Sequence, residues 1–374
     1  MKIFNARILT EDGFIHGGVE FDEKFGACGD CITDGDLDAD GAYIIPGLVD
    51  IHTHAAMGED ASDGSAEGLS VMSRYYARGG VTSWCPTTMT LKEQDLTAAM
   101  KAIRGFVRPE GGAKIAGVNL EGPFLSYEKR GAQAAENLSL PDAGMFARLN
   151  DACGGMVRLI TVAPELPGAM EFIREVSGVC TVSLGHSTAD YETAMAAFNA
   201  GASHVTHLFN AMRPFLHREP GIVGAAHESG ASAELICDGL HIHPAVVRTV
   251  FDLFGERTVL ISDSMRCAGM PDGEYTLGGQ PVTYSHGRAT LRGTDTLAGS
   301  GIHLMDGVKK AVSFGIPLQK AVFAASTAPA RAIGMQDSIG SIAPGLSADF
   351  LLLDDSLHLK AVYINGRPAA DAGS

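Results

Sequence analysis

Six apolar runs in this chain each close on a histidine, glutamate or aspartate, and no other feature restricts the fold so strongly. They span residues 44–54, 114–121, 181–186, 204–207, 232–238 and 258–263. Two more runs, 80–87 and 157–165, bring the strand candidates to eight. Helix-like patterns lie between and after them, over 65–78, 91–106, 189–199, 244–254, 306–314 and 318–333. Short β-branched runs separated by helix-length segments predict β/α units around a parallel sheet. Eight such units close a (β/α)8 barrel, in which the C-terminal strand ends gather at one mouth. Imidazoles and carboxylates collected there make a metal site the leading hypothesis.

The two ends of the chain read differently. Residues 1–45 are short strands and turns, and the stretch after about 345 is similar. Neither end could bury a core alone, so together they predict one small β-sandwich beside the barrel. The expected organisation is a TIM-like barrel over 46–340, flanked by a small β domain built from 1–45 and 341–374. A chain of 374 residues, 45% hydrophobic, can fill both.

The formal net charge of −16 repels nucleic acid and anionic membrane, so neither is expected as a partner. It does not exclude an anionic small substrate, because a few local cations set the field inside a pocket. The first residues lack a signal-peptide core, and no run approaches the ~18 apolar residues of a membrane span. A soluble, cytoplasmic protein is expected. Seven scattered cysteines read as free thiols. Cys28 and Cys31 have metal or redox spacing but no second such pair, while Cys85, Cys180 and Cys237 fall within strand-like runs as small core residues.

Each run end carries two readings. His52 and His54 stand two apart, so on a strand they share a face and reach one ion; such pairs also occur on surfaces. Glu121 in Leu120-Glu121-Gly122-Pro123 either caps the next turn or, because Gly122 and Pro123 end the strand sharply, stands at the mouth where it could bridge two divalent ions. His186 and His207 close two further strands. His204, three residues before His207, faces the other way on a strand and reads as structural. Asp263 is either a helix N-cap or a carboxylate that takes a proton from an acidified water and passes it to a leaving group. Its place at the last strand end favours the second. His16, His286 and His358 read as solvated, His227 and His243 have no assigned role, and His303 stays open.

Taken in order, these motifs resemble the amidohydrolase superfamily, and within it the N-acetylglucosamine-6-phosphate deacetylase family. The carrying segments are Pro46-Gly47-Leu48-Val49-Asp50-Ile51-His52-Thr53-His54, Leu120-Glu121-Gly122-Pro123-Phe124, Leu184-Gly185-His186-Ser187 and Thr206-His207-Leu208-Phe209-Asn210-Ala211-Met212. His217-Arg218-Glu219-Pro220-Gly221, Asp238-Gly239-Leu240-His241, Ser262-Asp263-Ser264 and Leu297-Ala298-Gly299-Ser300 complete the set. The resemblance implies Glu121, His186 and His207 as ligands of a principal divalent metal, with His52 and His54 holding a second. One or two ions per chain are implied, zinc ahead of iron. It implies Asp263 as general base and then acid. Asn210, Ala211, Arg218 and His241 would contact a sugar phosphate, and Leu297, Ala298 and Gly299 would line the sugar or acetyl pocket. A homodimer with some phosphate contacts crossing the subunit interface is implied as well.

Two positions depart from the family pattern. Gly131-Ala132-Gln133 stands where the family places a histidine that polarises the acetyl carbonyl, so Ala132 and Gln133 are candidate pocket residues. Gln133 can donate an N–H to an oxyanion but cannot become cationic. Ala55 replaces a glycine. The expected activity is hydrolysis of the N-acetyl group of N-acetylglucosamine 6-phosphate, in amino-sugar catabolism. A related N-acetylhexosamine phosphate, another amidohydrolase reaction such as that of a cyclic amidase or an N-acyl amino acid deacylase, and a non-catalytic sugar-phosphate-binding barrel are the alternatives. Many of those other hydrolases bridge their metals with a modified lysine, and no lysine competes with Glu121 at a comparable strand end.

Overall fold

The computed structural model describes residues 1–369; residues 370–374, the end of the expected C-terminal part of the small domain, lie outside them. Eight strands form the ring of the central sheet: β1 (Leu48–Thr53), β2 (Val81–Thr88), β3 (Val118–Glu121), β4 (Val157–Val162), β5 (Thr181–Leu184), β6 (His204–Val205), β7 (Ser232–Ile236) and β8 (Thr258–Ile261), and the run expected over 114–121 is split, so that Lys114–Ile115 adds a ninth short strand beside β2. Each pairs in parallel with the next in chain order. The ring closes where the chain leaving β8 meets β1. There the Asp263 N–H donates to the His52 carbonyl at 3.0 Å, and the His54 N–H donates to the Ser264 carbonyl at 3.0 Å. β1 and β2 are buried at every position, as a strand covered on both faces must be.

Helices cover the outside. The one at Ala66–Arg78 begins where the Ser65 side chain accepts the Gly68 N–H, and it lays Leu69, Met72 and Tyr76 against the sheet. Inside, Val49, Ile51, Leu159, Ile236, Val259 and Ile261 form a separate apolar cluster, closed from below by Ala328, Ala330 and Ile333. The polar mouth therefore lies at the other end. The expected helix over 318–333 is two helices, Leu318–Ala325 and Thr327–Ala332. Pro329 has no N–H and its ring would crowd the Ala325 carbonyl, so the helix breaks at Ser326.

The termini do meet. Lys2–Thr10, Gly13–Phe21, Phe25–Gly29, Leu37–Asp38 and Tyr43–Pro46 from one end share a single eight-stranded sheet with Phe350–Leu353, Leu359–Ile364 and Arg367–Pro368 from the other. That sheet rolls on itself, because Lys24 pairs with Ser347 and the Ala348 N–H donates to the Glu23 carbonyl. Its enclosed face holds Ile3, Phe21, Phe25, Phe350 and Tyr363. Gly47 joins this sheet to β1, where a Cβ would strike the Thr82 side chain.

One element was not anticipated. After β8, Gly273–Leu277, Gln280–Ser285 and Arg288–Leu291 form a three-stranded antiparallel sheet. Its first turn is Gly278-Gly279, both at positive φ, a two-residue hairpin signal that the sequence does carry. Among the described residues, no helix is long and apolar enough to cross a membrane. All seven cysteines are free, and Cys85, Cys180 and Cys237 are buried.

Candidate active site

At the barrel mouth Glu121 stands among four imidazoles. Its Oε1 lies 2.9 Å from His207 Nε2, 3.2 Å from His186 Nε2 and 3.4 Å from His52 Nε2, and its Oε2 lies 3.3 Å from His54 Nε2. Two groups thereby converge closely enough to hold an ion: His52, His54 and Glu121, and Glu121, His186 and His207. All five side chains are buried.

The local backbone aims them. Between Asp50 and Thr53 the register of β1 against β2 slips by one residue. Val49 and Ile51 face the interior cluster, so regular alternation would turn His52 and His54 outward; the bulge brings them into the mouth instead. His186, His207 and Asp263 each leave their strands in the left-handed region, at φ 47°, 26° and 49°. For residues with a Cβ this costs about 1–3 kcal/mol apiece, a cost concentrated at the strand ends that carry the polar groups. Gly185 precedes His186 where a Cβ would meet Thr206 at 2.6 Å.

The proton positions decide what the cluster wants. His54 Nδ1 lies 3.2 Å from the Thr87 carbonyl and His186 Nδ1 lies 2.8 Å from the Lys129 carbonyl. A carbonyl only accepts, so these Nδ1 atoms carry hydrogen. In the neutral tautomer their Nε2 atoms are bare, yet Nε2 of His186 is 3.1 Å from that of His207, and Nε2 of His52 is 3.3 Å from that of His54. His52 Nδ1 faces the accepting Glu234 carboxylate at 2.8 Å, so the His52–His54 pair sets two bare nitrogens against each other and calls for a cation between them, a proton or a metal. Burial opposes an imidazolium at His52, but the carboxylates of Glu234 and Glu121 outweigh it and raise its pKa to about 9. His54 is raised likewise, against burial, by Asp263 and Glu121. Burial would raise Glu121 and Asp263, yet the surrounding histidines hold both below the usual carboxylate range. The donor set fits a divalent metal.

Asp263 Oδ1 lies 3.4 Å from His54 Nε2 and 3.7 Å from His52 Nε2. It faces a cavity of about 440 Å³ that also holds Glu121, His186 and His207. Ala132, Gln133, Asn210, Ala211, His241, Leu297, Ala298 and Gly299 line the same cavity. Leu277 and Thr296, from the antiparallel sheet and the segment after it, form another part of the wall. His241 is fixed by Asp238, which accepts its ring Nδ1–H at 2.7 Å and its backbone N–H at 2.9 Å.

Arg218 is not among the residues lining this cavity. It is exposed, beside Arg213, Glu219 and Tyr191 at a separate hollow of about 310 Å³. Gln133 is in the cavity wall, but its amide is already engaged: Oε1 accepts the Thr90 N–H at 2.7 Å and Nε2 donates to Glu121 Oε2 at 2.6 Å. His204 is outside both converging groups, and its ring contacts Glu234 at 3.3 Å. Strand alternation does not send it away from the mouth, because β6 ends at Val205. Two supporting carboxylates receive no role from the sequence: Asp238, which appears there only as a run end and motif residue, and Glu234. Glu234 had a usable signal: a charge inside an apolar strand must find partners.

The chain belongs to the amidohydrolase family, whose profile matches residues 43–369. It is 37% identical over 374 residues to the N-acetylglucosamine-6-phosphate deacetylase of Bos taurus, covering 96% of this chain and 91% of that one. It is 35% identical to the N-acetylgalactosamine-6-phosphate deacetylase of Escherichia coli O157:H7, covering 97% and 98%. A variant N-acetyl-D-glucosamine-6-phosphate deacetylase from Mycobacterium smegmatis, solved with N-acetyl-D-glucosamine-6-phosphate, superposes with a TM-score of 0.92 at 33% identity over 99% of both chains. Family membership and the two converging groups together imply a divalent metal.

Proposed function

We propose that this chain hydrolyses the N-acetyl group of N-acetylglucosamine 6-phosphate to acetate and glucosamine 6-phosphate. The observation that carries the reading is the position of Asp263: its carboxylate shares one cavity with the Glu121–histidine cluster and with Asn210, Ala211 and His241. Glu121, His186 and His207 would hold a principal metal, and His52 and His54 a second. A divalent ion held there would supply Lewis acidity and would bring the pKa of water from 15.7 to about 7. Asp263, kept ionised by its histidine neighbours, takes the proton of the attacking water. It then delivers that proton to the sugar nitrogen, so the C–N bond breaks with a neutral amine leaving. His241, held by Asp238, presents its free ring nitrogen toward the phosphate together with Asn210 and Ala211. Leu297, Ala298 and Gly299 shape the sugar and acetyl side.

Zinc is the metal we assign first and iron second, since both suit imidazole and carboxylate donors. Arg218 belongs to this reading through a second copy of the chain. Its planar fork suits phosphate, it lines a separate hollow and not its own cavity, and exposed Phe215 and Leu216 precede it. A homodimer would place it at the partner's site. A cytoplasmic location goes with the free cysteines.

Metal analysis of purified protein, combined with acetate release from N-acetylglucosamine 6-phosphate, its galactosamine epimer and unphosphorylated N-acetylglucosamine, tests the proposal. Acetate release from a hexosamine 6-phosphate with bound divalent metal is expected. Tight binding of the sugar phosphate without acetate would make the chain a binding barrel instead.

A further inference from the structure

Glu234 lies in β7 between Ala233 and Leu235 and is fully buried. A carboxylate so placed needs hydrogen-bond donors around it. It finds them on both halves of the cluster. Oε2 lies 2.8 Å from His52 Nδ1 and 3.0 Å from the backbone N of His207. Oε1 lies 3.3 Å from His204 Nε2, whose own Nδ1 is 2.6 Å from Ser232 Oγ. The main chain adds a fourth tie, the Leu208 N–H to the Glu234 carbonyl at 2.8 Å.

One oxygen therefore touches the imidazole of a residue in the first converging group and the backbone of a residue in the second. These contacts differ in kind. At His52 the bond fixes the tautomer and turns Nε2 toward Glu121. At His207 it fixes the amide of a residue at φ 26°, the tightest of the left-handed bends in the site. The His207 carbonyl accepts the Asn210 N–H at 2.9 Å, but its ring Nδ1 is buried and has no partner among the described residues, so no bond from Nδ1 orients the ring. His54 and His186 rest instead on separate backbone carbonyls.

We infer that Glu234 is a positioning residue that assembles both metal half-sites together, through the His52 ring and the His207 backbone. The inference rests on the metal reading above. It predicts an asymmetry: loss of His52 harms one half-site, whereas loss of Glu234 harms both. Partners that orient a metal-ligating histidine typically change affinity by about 10–100-fold when removed.

The test is zinc retention. Zinc-saturated wild type, His52→Ala, Glu234→Ala and Glu234→Gln are dialysed against graded chelator, and ions per chain are counted. His52→Ala should keep one ion at the wild-type midpoint. Glu234→Ala should shift both midpoints by about 10–100-fold. Glu234→Gln, of the same size, should shift both in the same direction by less, and it decides the matter if the alanine variant does not fold. Glu234 variants that weaken one site only, or neither, overturn the inference. Wild-type protein that takes no zinc overturns the metal reading with it; two tightly held ions in both wild type and Glu234→Gln overturn this inference alone.

Discussion

Gln133 ties Glu121 to the loop after β2, donating to the Glu121 carboxylate at 2.6 Å while accepting the Thr90 N–H at 2.7 Å. The Thr90 amide can only donate, so the orientation of the Gln133 amide is set: oxygen toward Thr90, nitrogen toward Glu121. A side chain held at both ends is poorly placed to be the main oxyanion donor. Gln133→Ala is therefore expected to lower kcat by no more than about tenfold, less than the 10²–10³ typical of losing a principal donor. Steady-state kinetics with metal counted in the same sample checks this. A thousandfold loss with both metals bound would make the amide itself the donor.

Asp263→Asn should keep metal and fold yet lose about 10²–10⁴ in turnover. The amide fills the same space but cannot carry a proton from water to the leaving nitrogen. Wild-type turnover in that variant would refute the mechanism.

Changing His52 and His54 together to alanine should remove one ion and leave the other on Glu121, His186 and His207. Metal analysis reads this directly. A wild-type protein that never holds more than one ion would exclude the binuclear form.

Arg218→Ala should raise KM for the 6-phosphate sugar far more than for the unphosphorylated sugar. If Arg218 serves a second copy, mixing inactive Asp263→Asn chains with Arg218→Ala chains should restore part of the phosphate-dependent activity. Equal KM changes on both sugars would give Arg218 a structural role.

Acidity should act on metal-stripped and metal-loaded protein in opposite senses. In the stripped protein His52 titrates near 9, above its ordinary 6.5. Its protonation therefore favours the folded state fully below about pH 6.5, and that contribution fades as pH rises and is gone above about 9. Thermal midpoints of stripped protein should fall across that window, by less in His52→Ala. Metal retention should strengthen over the same range, because protons and metal compete for the same nitrogens.

The barrel, the terminal sheet and the polar strand ends were legible because strand-length runs, glycine turns and terminal polar residues are local patterns. The bulge in β1 was not. The sequence 48–54 reads as regular alternation, and the slip that turns His52 and His54 inward is visible only in the pairing with β2. The left-handed conformations of His186, His207 and Asp263 were hidden for a related reason: nothing in a histidine or aspartate announces a positive φ. Arg218 was legible as a phosphate-binding type, but not its place at a separate hollow, which depends on how the chain turns after β6. The engagement of Gln133 required knowing that Thr90, 43 residues earlier, ends beside it.

The seam of the barrel has a consequence for how this molecule is monitored. The Asp263 amide bonds to the His52 carbonyl at the one place where the last strand meets the first. The proposed base and a proposed metal ligand thus sit on the two sides of that seam. Any opening of the ring there separates them before the rest of the sheet is disturbed. Catalytic output is then a gauge of ring closure, and during refolding it should return only once the two ends of the sheet have met.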